Sequence, residues 1–208
     1  MNRSTEQESF WENDFGNKYI ERNKDYLLLA SNLSLFSRIL GSTQSVKTVL
    51  EFGANIGMNI KALKQLLPNT DFFAIEINKK AHSELEKLIG KEKAHYQSIF
   101  DYSTNEQVDL SFIKGVLIHI NPDKLKLVYK KLYTSSKRYI LIAEYYNPSP
   151  VSLPYRGHND KLFKRDFAGE LLDLYSDLRL IDYGFVYHRD PNFPQDDITW
   201  FLLEKVKN

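Results

Sequence analysis

Glu51, Gly53, Asn55 and Gly57 stand at alternate positions, an acid followed by three residues that suit a backbone at positive φ or one that a ligand approaches closely. Before them the run Thr48-Val49-Leu50 is β-compatible, and after them Ile60, Leu63, Leu66 and Leu67 recur at helical spacing. The segment therefore reads as strand, tight turn and helix, and the chemistry of such a turn is ligand binding. A dinucleotide fingerprint requires G-x-G-x-x-G, but Asn55 and Met58 fill its second and third glycine positions. A phosphate-binding P-loop requires G-x-x-x-x-G-K-[ST]. Gly53 and Gly57 are one residue too close for that, and Met58 stands where the lysine belongs. A second carboxylate, Glu76, closes the apolar run Phe72-Phe73-Ala74-Ile75 and lies 19 residues beyond Gly57. Rossmann-type sites place the acid that holds a ribose diol at roughly 20.

What remains, E-x-G-x-x-x-G, resembles the first motif of class I S-adenosylmethionine (SAM) methyltransferases, with Asn55 in place of the middle glycine. The resemblance implies SAM as cofactor: the backbone of Gly53, Asn55 and Gly57 against its methionine part, Glu51 helping to hold its amino group, and Glu76 accepting from its ribose hydroxyls. It also implies that residues after the third strand meet the adenine, Ile99 on the ring face and Asp101 at the exocyclic amine.

Methyl transfer from a sulfonium is an in-line displacement, so a site for it aligns donor and acceptor and excludes water. An oxygen or nitrogen acceptor also calls for a base. At the carboxyl edge of the expected sheet, where α/β ligands bind, His119 is the candidate base, with an ordinary pKa near 6.5; as a structural residue it would cap the following helix instead. Tyr145 is the second catalytic candidate, and Tyr145, Tyr146 and Asn147 are expected on the acceptor side. Arg156, His158, Lys161, Lys164 and Arg165 form a basic cluster beside Tyr155 and Phe163. Guanidinium groups grip carboxylate or phosphate in a bidentate manner, so Arg156, His158, Lys164 and Arg165 are expected to bind an anionic small-molecule acceptor, an acidic sugar or sugar nucleotide. Loop charges that are merely solvated are the plain alternative. The five histidines show no i, i+4 pair, and no metal is expected.

The 208 residues are 42% hydrophobic and 26% charged, with net charge +1 and no cysteine. That is enough apolar material for one α/β domain with a short extension. The charge balance offers no overall basic field for nucleic acid or an anionic membrane. Absence of cysteine excludes disulfides, thiol nucleophiles and cysteine zinc sites. Residues 1–15 are polar and of mixed charge, and no run approaches the roughly 18 apolar residues of a membrane span, so the chain is expected to be cytoplasmic.

Residues 1–41 read as an N-terminal helical extension. Phe10, Trp11, Phe15 and Tyr19 make its first part an aromatic lid or an arm over apolar surface, and a helix over 23–40 carries Leu29, Leu33, Phe36 and Leu40 on one face. Residues 42–208 read as a SAM-binding methyltransferase domain. Strands are expected at 71–77, 94–100, 108–113, 138–144, 178–187 and 198–206 besides the first. Helices open at the Asn78 cap, at Asn121-Pro122-Asp123 and near Asp166. A loop over 145–165, carrying Pro148, Pro150 and Pro154, is the longest and so a functional candidate. The alternation predicts a doubly wound, Rossmann-like α/β fold with seven mostly parallel strands and an antiparallel last one.

Several blocks together resemble the pseudaminic acid biosynthesis-associated methylases: Phe15-Gly16 with Tyr19 and Arg22-Asn23, the first motif, the block from Lys114-Gly115 to Asn121-Pro122, Ala143-Glu144-Tyr145-Tyr146-Asn147-Pro148, and Arg156-Gly157-His158 with Phe163-Lys164-Arg165-Asp166-Phe167. On this resemblance Tyr19, Arg22 and Lys114 join the cofactor site. It implies a methylase whose genes accompany synthesis of the nonulosonate sugars of bacterial surfaces, and leaves the methyl acceptor open. The competing readings are a non-catalytic SAM- or nucleotide-binding module and a protein or RNA methyltransferase; low net charge counts against RNA.

Overall fold

The computed structural model describes residues 5–20 and 26–206. Two short helices, α1 (Glu6–Glu12) and α2 (Asp14–Ile20), precede the longer α3 (Tyr26–Leu40). Thr5 opens α1 with a capping box: its hydroxyl accepts from the Glu8 N–H at 3.2 Å, and the Glu8 carboxylate accepts from the Thr5 N–H at 3.1 Å. Of the helix expected at 23–40, residues 23–25 lie outside the described residues.

Strands and helices then alternate: β1 (Thr48–Phe52), α4 (Met58–Leu66), β2 (Asp71–Glu76), α5 (Lys79–Ile89), β3 (Ala94–Tyr96), β4 (Val108–Lys114), α6 (Leu125–Ser135) and β5 (Ser136–Glu144). After a hairpin of β6 (Val151–Tyr155) and β7 (His158–Lys164) come α7 (Phe167–Leu174), β8 (Leu178–Val186) and β9 (Ile198–Lys205). The main sheet has the order β3-β2-β1-β4-β5-β9-β8. β1 to β5 are parallel, and β9 runs antiparallel between β5 and β8. This is the expected seven-stranded sheet with its antiparallel last strand.

Burial on both faces explains the continuous apolar runs of the central strands. Successive residues alternate faces: Val49, Ala74, Leu110 and Phe112 pack with Phe36 and Ile39 of α3 and Ile60 and Leu63 of α4. Leu50, Ile75, Ile113 and Ile140 pack with Val128 and Leu132 of α6 and Phe167 and Leu171 of α7.

Two expectations need correction. The third strand stops at Tyr96 rather than running to 100, because Ser98 turns the chain: its hydroxyl accepts from Phe100 N–H, and its carbonyl accepts from the N–H of Asp101 and Tyr102. The expected loop over 145–165 is mostly the β6–β7 hairpin, closed by Arg156 and Gly157 at φ +51° and +84°. Both central residues at positive φ mark a tight hairpin turn. Pro154 sits within β6, one of only two strands in this small sheet, and edge strands tolerate proline.

Candidate functional site

A cavity of about 620 Å³ opens at the carboxyl ends of β1, β2, β4 and β5, within the usual size of a small-molecule site. Its floor is the β1–α4 turn. Gly53 and Gly57 have φ +76° and +77°, and Asn55 between them has φ +49°. Asparagine thus replaces the motif's middle glycine because it tolerates this left-handed backbone. A Cβ on Gly53 would also come within 2.7 Å of Val116 Cγ2. Gly53→Ala is expected to lower the unfolding free energy by at least about 1–2 kcal/mol from the backbone alone; an unchanged urea midpoint would show that turn and Val116 relax together.

Two buried carboxylates hold this turn. Glu76 Oε2 accepts from the Asn55 N–H at 2.7 Å and Oε1 from the Asn78 N–H at 2.6 Å. Burial raises its pKa, and these backbone donors oppose the rise. The Ile77 N–H is a third backbone donor to the carboxylate, and of the roughly four lone-pair sites of an ionised carboxylate this leaves room for a ligand donor. Glu51 lies beneath the lining. Its Oε1 accepts from Asn59 Nδ2 at 2.6 Å, whereas its Oε2 is buried without a partner. Burial lifts its pKa to about 8, against the lowering effect of Asn59 and Lys114. An unpartnered buried carboxylate oxygen needs an explanation. Lys114, at the end of β4, has a pKa lowered by loss of solvent and partly restored by Glu51, Asp196 and Glu144.

The far side of the cavity is aromatic. Trp11 of α1 and Tyr19 of α2 face His119, Tyr145 and Tyr155. The Trp11 ring lies 5.2 Å from Tyr19 and 4.7 Å from His119, which lies 4.8 Å from Tyr155. His119 sits in a single 3-10 turn, Leu117–His119, after β4. Its Nδ1 is 2.6 Å from the Lys161 carbonyl, an atom that only accepts, so Nδ1 carries the proton. Burial holds the His119 pKa down at about 4. The imidazole is therefore neutral in the free protein, with Nε2 left as its acceptor, and its Nδ1 bond ties the hairpin to the sheet. Glu144 turns away from the acceptor side. It accepts from the N–H groups of Val116 and Leu117, both at 2.9 Å, and thereby fixes the turn bearing His119. Burial lifts its pKa to about 7.

Gly53, Asn55, Glu76, Ile99, Tyr19, Lys114, His119, Tyr145 and Arg156 thus meet around one cavity, with Glu51 and Gly57 behind the lining. Several expected residues lie outside it. Asp101 is exposed beyond the turn that Ser98 makes. Tyr146 points to the opposite side of the strand end, its ring 5.8 Å from Phe201, and Asn147 donates to the Ser149 carbonyl. The hairpin disperses the basic cluster. His158 meets Phe10 edge-on, Lys164 sits over the Tyr145 ring at 5.0 Å, and Arg165 pairs with Glu170 at 2.5 Å. Lys161 pairs with Glu6. Arg22 lies outside the described residues. Gln7, Asn32, Asn59 and Gln195 also line the cavity and were not expected from the sequence. Asn59 had a signal, its place in the first turn of the helix that follows the motif. Asn32 and Gln195 had none: Gln195 Nε2 donates to Asn32 Oδ1 at 3.2 Å across 163 residues of chain.

The sheet order is that of the Rossmann-like class I methyltransferase fold. Among solved structures, the chain is similar to a Burkholderia thailandensis 1,6-didemethyltoxoflavin N1-methyltransferase with bound S-adenosylhomocysteine (SAH), at TM-score 0.71 and 15% identity, covering 100% of this chain and 92% of that one. It is similar to the magnesium protoporphyrin IX methyltransferase of Synechocystis with bound SAM, at TM-score 0.66 and 11% identity, covering 99% and 100%. A mitomycin 7-O-methyltransferase matches at TM-score 0.68 and 12% identity over 98% of this chain, which spans 62% of that protein's length. No protein-family model matches the chain, and no curated protein matches it in sequence.

Proposed function

We propose that this protein is a SAM-dependent methyltransferase acting on a compact, ring-shaped small molecule that carries an acidic group. The observation that carries the reading is Glu51 Oε2, a buried acceptor without a partner directly under a glycine turn built for close backbone approach. The residues present fit the cofactor. Glu51 and Asn59 suit its amino group, the Gly53–Gly57 backbone its methionine chain, Glu76 its ribose diol, and Ile99 its adenine. Bound there, SAM supplies an electrophilic methyl group on a sulfonium. The chain's own part is to align the acceptor and keep water out.

On the acceptor side Trp11, Tyr19, His119, Tyr145 and Tyr155 offer ring faces and hydroxyls, and Arg156 stacks over Tyr155 at 5.4 Å. Of the basic cluster, Arg156 alone lines the cavity among the described residues. One guanidinium matches one carboxylate, which favours a free sugar acid over a sugar nucleotide with its diphosphate. The sequence resemblance implies a setting in nonulosonate synthesis and leaves the acceptor open; an oxygen of a nonulosonate of the pseudaminic acid type is the acceptor proposed here. Two neighbours of the same fold are named for small-molecule acceptors, a toxoflavin precursor and a magnesium protoporphyrin, and a cavity of about 620 Å³ is of the size that takes a small molecule.

Calorimetric titration with SAM, SAH and NAD tests the cofactor. SAM and SAH are expected to bind at one site and NAD not to bind; tighter NAD binding, or none by SAM, rejects the reading. Transfer of a labelled methyl group to a panel of free nonulosonates and their nucleotide esters tests the acceptor, with the free acids expected to be the better substrates.

A further inference from the structure

One side chain fastens the corner between α1 and α2 to the sheet. Asn78, buried at 3% exposure, opens α5 with its Oδ1, which accepts from the N–H groups of Lys80 and Ala81, both at 3.0 Å. Its Nδ2 faces the other way, and its two protons are shared among three acceptors, the Trp11 carbonyl at 3.3 Å, the Glu12 carbonyl at 3.0 Å and Asn17 Oδ1 at 3.1 Å. The backbone N–H of the same residue donates to Glu76, whose other oxygen accepts from Asn55. Cofactor turn, ribose carboxylate and helical corner are therefore joined by consecutive hydrogen bonds. Gly16 completes the fit, since a Cβ there would collide with the Trp11 carbonyl and approach Asn78 Nδ2 within 2.9 Å. Capping α5 requires only a side-chain oxygen, which serine or aspartate provides equally well. The amide donor is surplus to capping, and all its recorded partners lie on α1, α2 or at the corner between them.

We propose that Asn78 is a positioning residue: it holds α1 and α2, and with them the Trp11 and Tyr19 walls of the acceptor chamber, in register with the carboxylate that meets the ribose. The tie between Asn78 and the helical corner stands on geometry alone; its coupling to cofactor occupancy rests on the function proposed above. Trp11 contacts both His119 and Tyr19, so a corner that swings away opens the chamber to water.

Asn78→Ser keeps the cap and removes the amide donor. In the full-length, ligand-free protein, trypsin cleavage after the exposed Lys18 is expected to be roughly tenfold faster or more in this variant, the change that corresponds to losing one to two net hydrogen bonds. The thermal midpoint of the domain is expected to be nearly unchanged. Asn17→Ala, which leaves α5 untouched, is expected to move the cleavage rate the same way by a smaller factor. Equal rates in Asn78→Ser and the unmodified chain overturn the tie, as does a change seen only in Asn78→Ser together with a lowered midpoint. Saturating SAH is then added as a probe of coupling. It is expected to slow cleavage of the unmodified chain and to slow Asn78→Ser far less, although both bind SAH by calorimetry; equal protection overturns the coupling. If SAH fails to bind the unmodified chain, the cofactor reading falls, and the ligand-free comparison still decides the tie.

Discussion

Glu76→Ala is expected to weaken SAM binding by roughly 10- to 150-fold, the equivalent of about 1.5–3 kcal/mol for charge-assisted contacts to the ribose. The structure adds a second loss. In the free protein the carboxylate already accepts from Asn55 and Asn78, and removing it strands both N–H groups. An unsatisfied buried donor costs about 1–3 kcal/mol; the Asn78 bond is fully buried and the Asn55 bond partly so. Folding stability is therefore expected to fall along with affinity, and the variant separates from a pure ligand-contact mutant by its lower urea midpoint. Glu76→Gln retains one acceptor oxygen and turns an N–H₂ group toward a backbone donor, so it is expected to fall between the two. Calorimetry and chemical denaturation on the same samples measure both effects. Unchanged SAM affinity in Glu76→Ala would remove the residue from the site.

The second large effect is a pH dependence that comes from Glu51. Burial raises its folded-state pKa from 4.5 to about 8, so between those values the folded, ligand-free protein holds a proton that the unfolded chain has lost. The stability this contributes is complete below about 4.5 and disappears as pH rises through about 8. Glu144, lifted to about 7 by burial, has the same sign. The unfolding midpoint of the free protein is expected to drop between pH 5 and 8. A cationic amino group placed beside Oε2 favours the ionised carboxylate, so SAM binding is expected to release a proton. Between pH 6 and 7.5 its affinity should then rise by up to tenfold per pH unit. Titrations in two buffers of different ionisation enthalpy count that proton. Glu51→Gln is expected to flatten the pH dependence and to weaken binding by roughly tenfold or more. An affinity independent of pH, with no proton released, would sink the assignment of Glu51 to the amino group.

Much of this was legible because strand-to-helix turns and strand ends are local. The positive φ of Gly53, Asn55 and Gly57, the Asn78 cap and the acid closing β2 follow from residue type and spacing over a few positions. The acceptor side was not legible for the same reason. Arg156, His158, Lys164 and Arg165 are close in sequence, yet the two-residue turn at Arg156 and Gly157 folds the segment on itself and gives each cation a different partner. Asp101 follows the third strand as the resemblance requires, yet the turn at Ser98 leaves it in solvent.

By itself, the amino-acid sequence determined the order of the main-sheet strands and helices, their buried runs and the conformation of the glycine turn, since backbone preference and hydrophobic period act within one element. Only the tertiary structure decided that Glu51 is left with an unpartnered oxygen, that His119 is too buried to protonate near neutral pH, and that Trp11 and Tyr19 close the chamber through Asn78. Those properties arise from desolvation and from contacts between elements tens of residues apart, and no spacing along the chain encodes how much water a folded neighbour displaces.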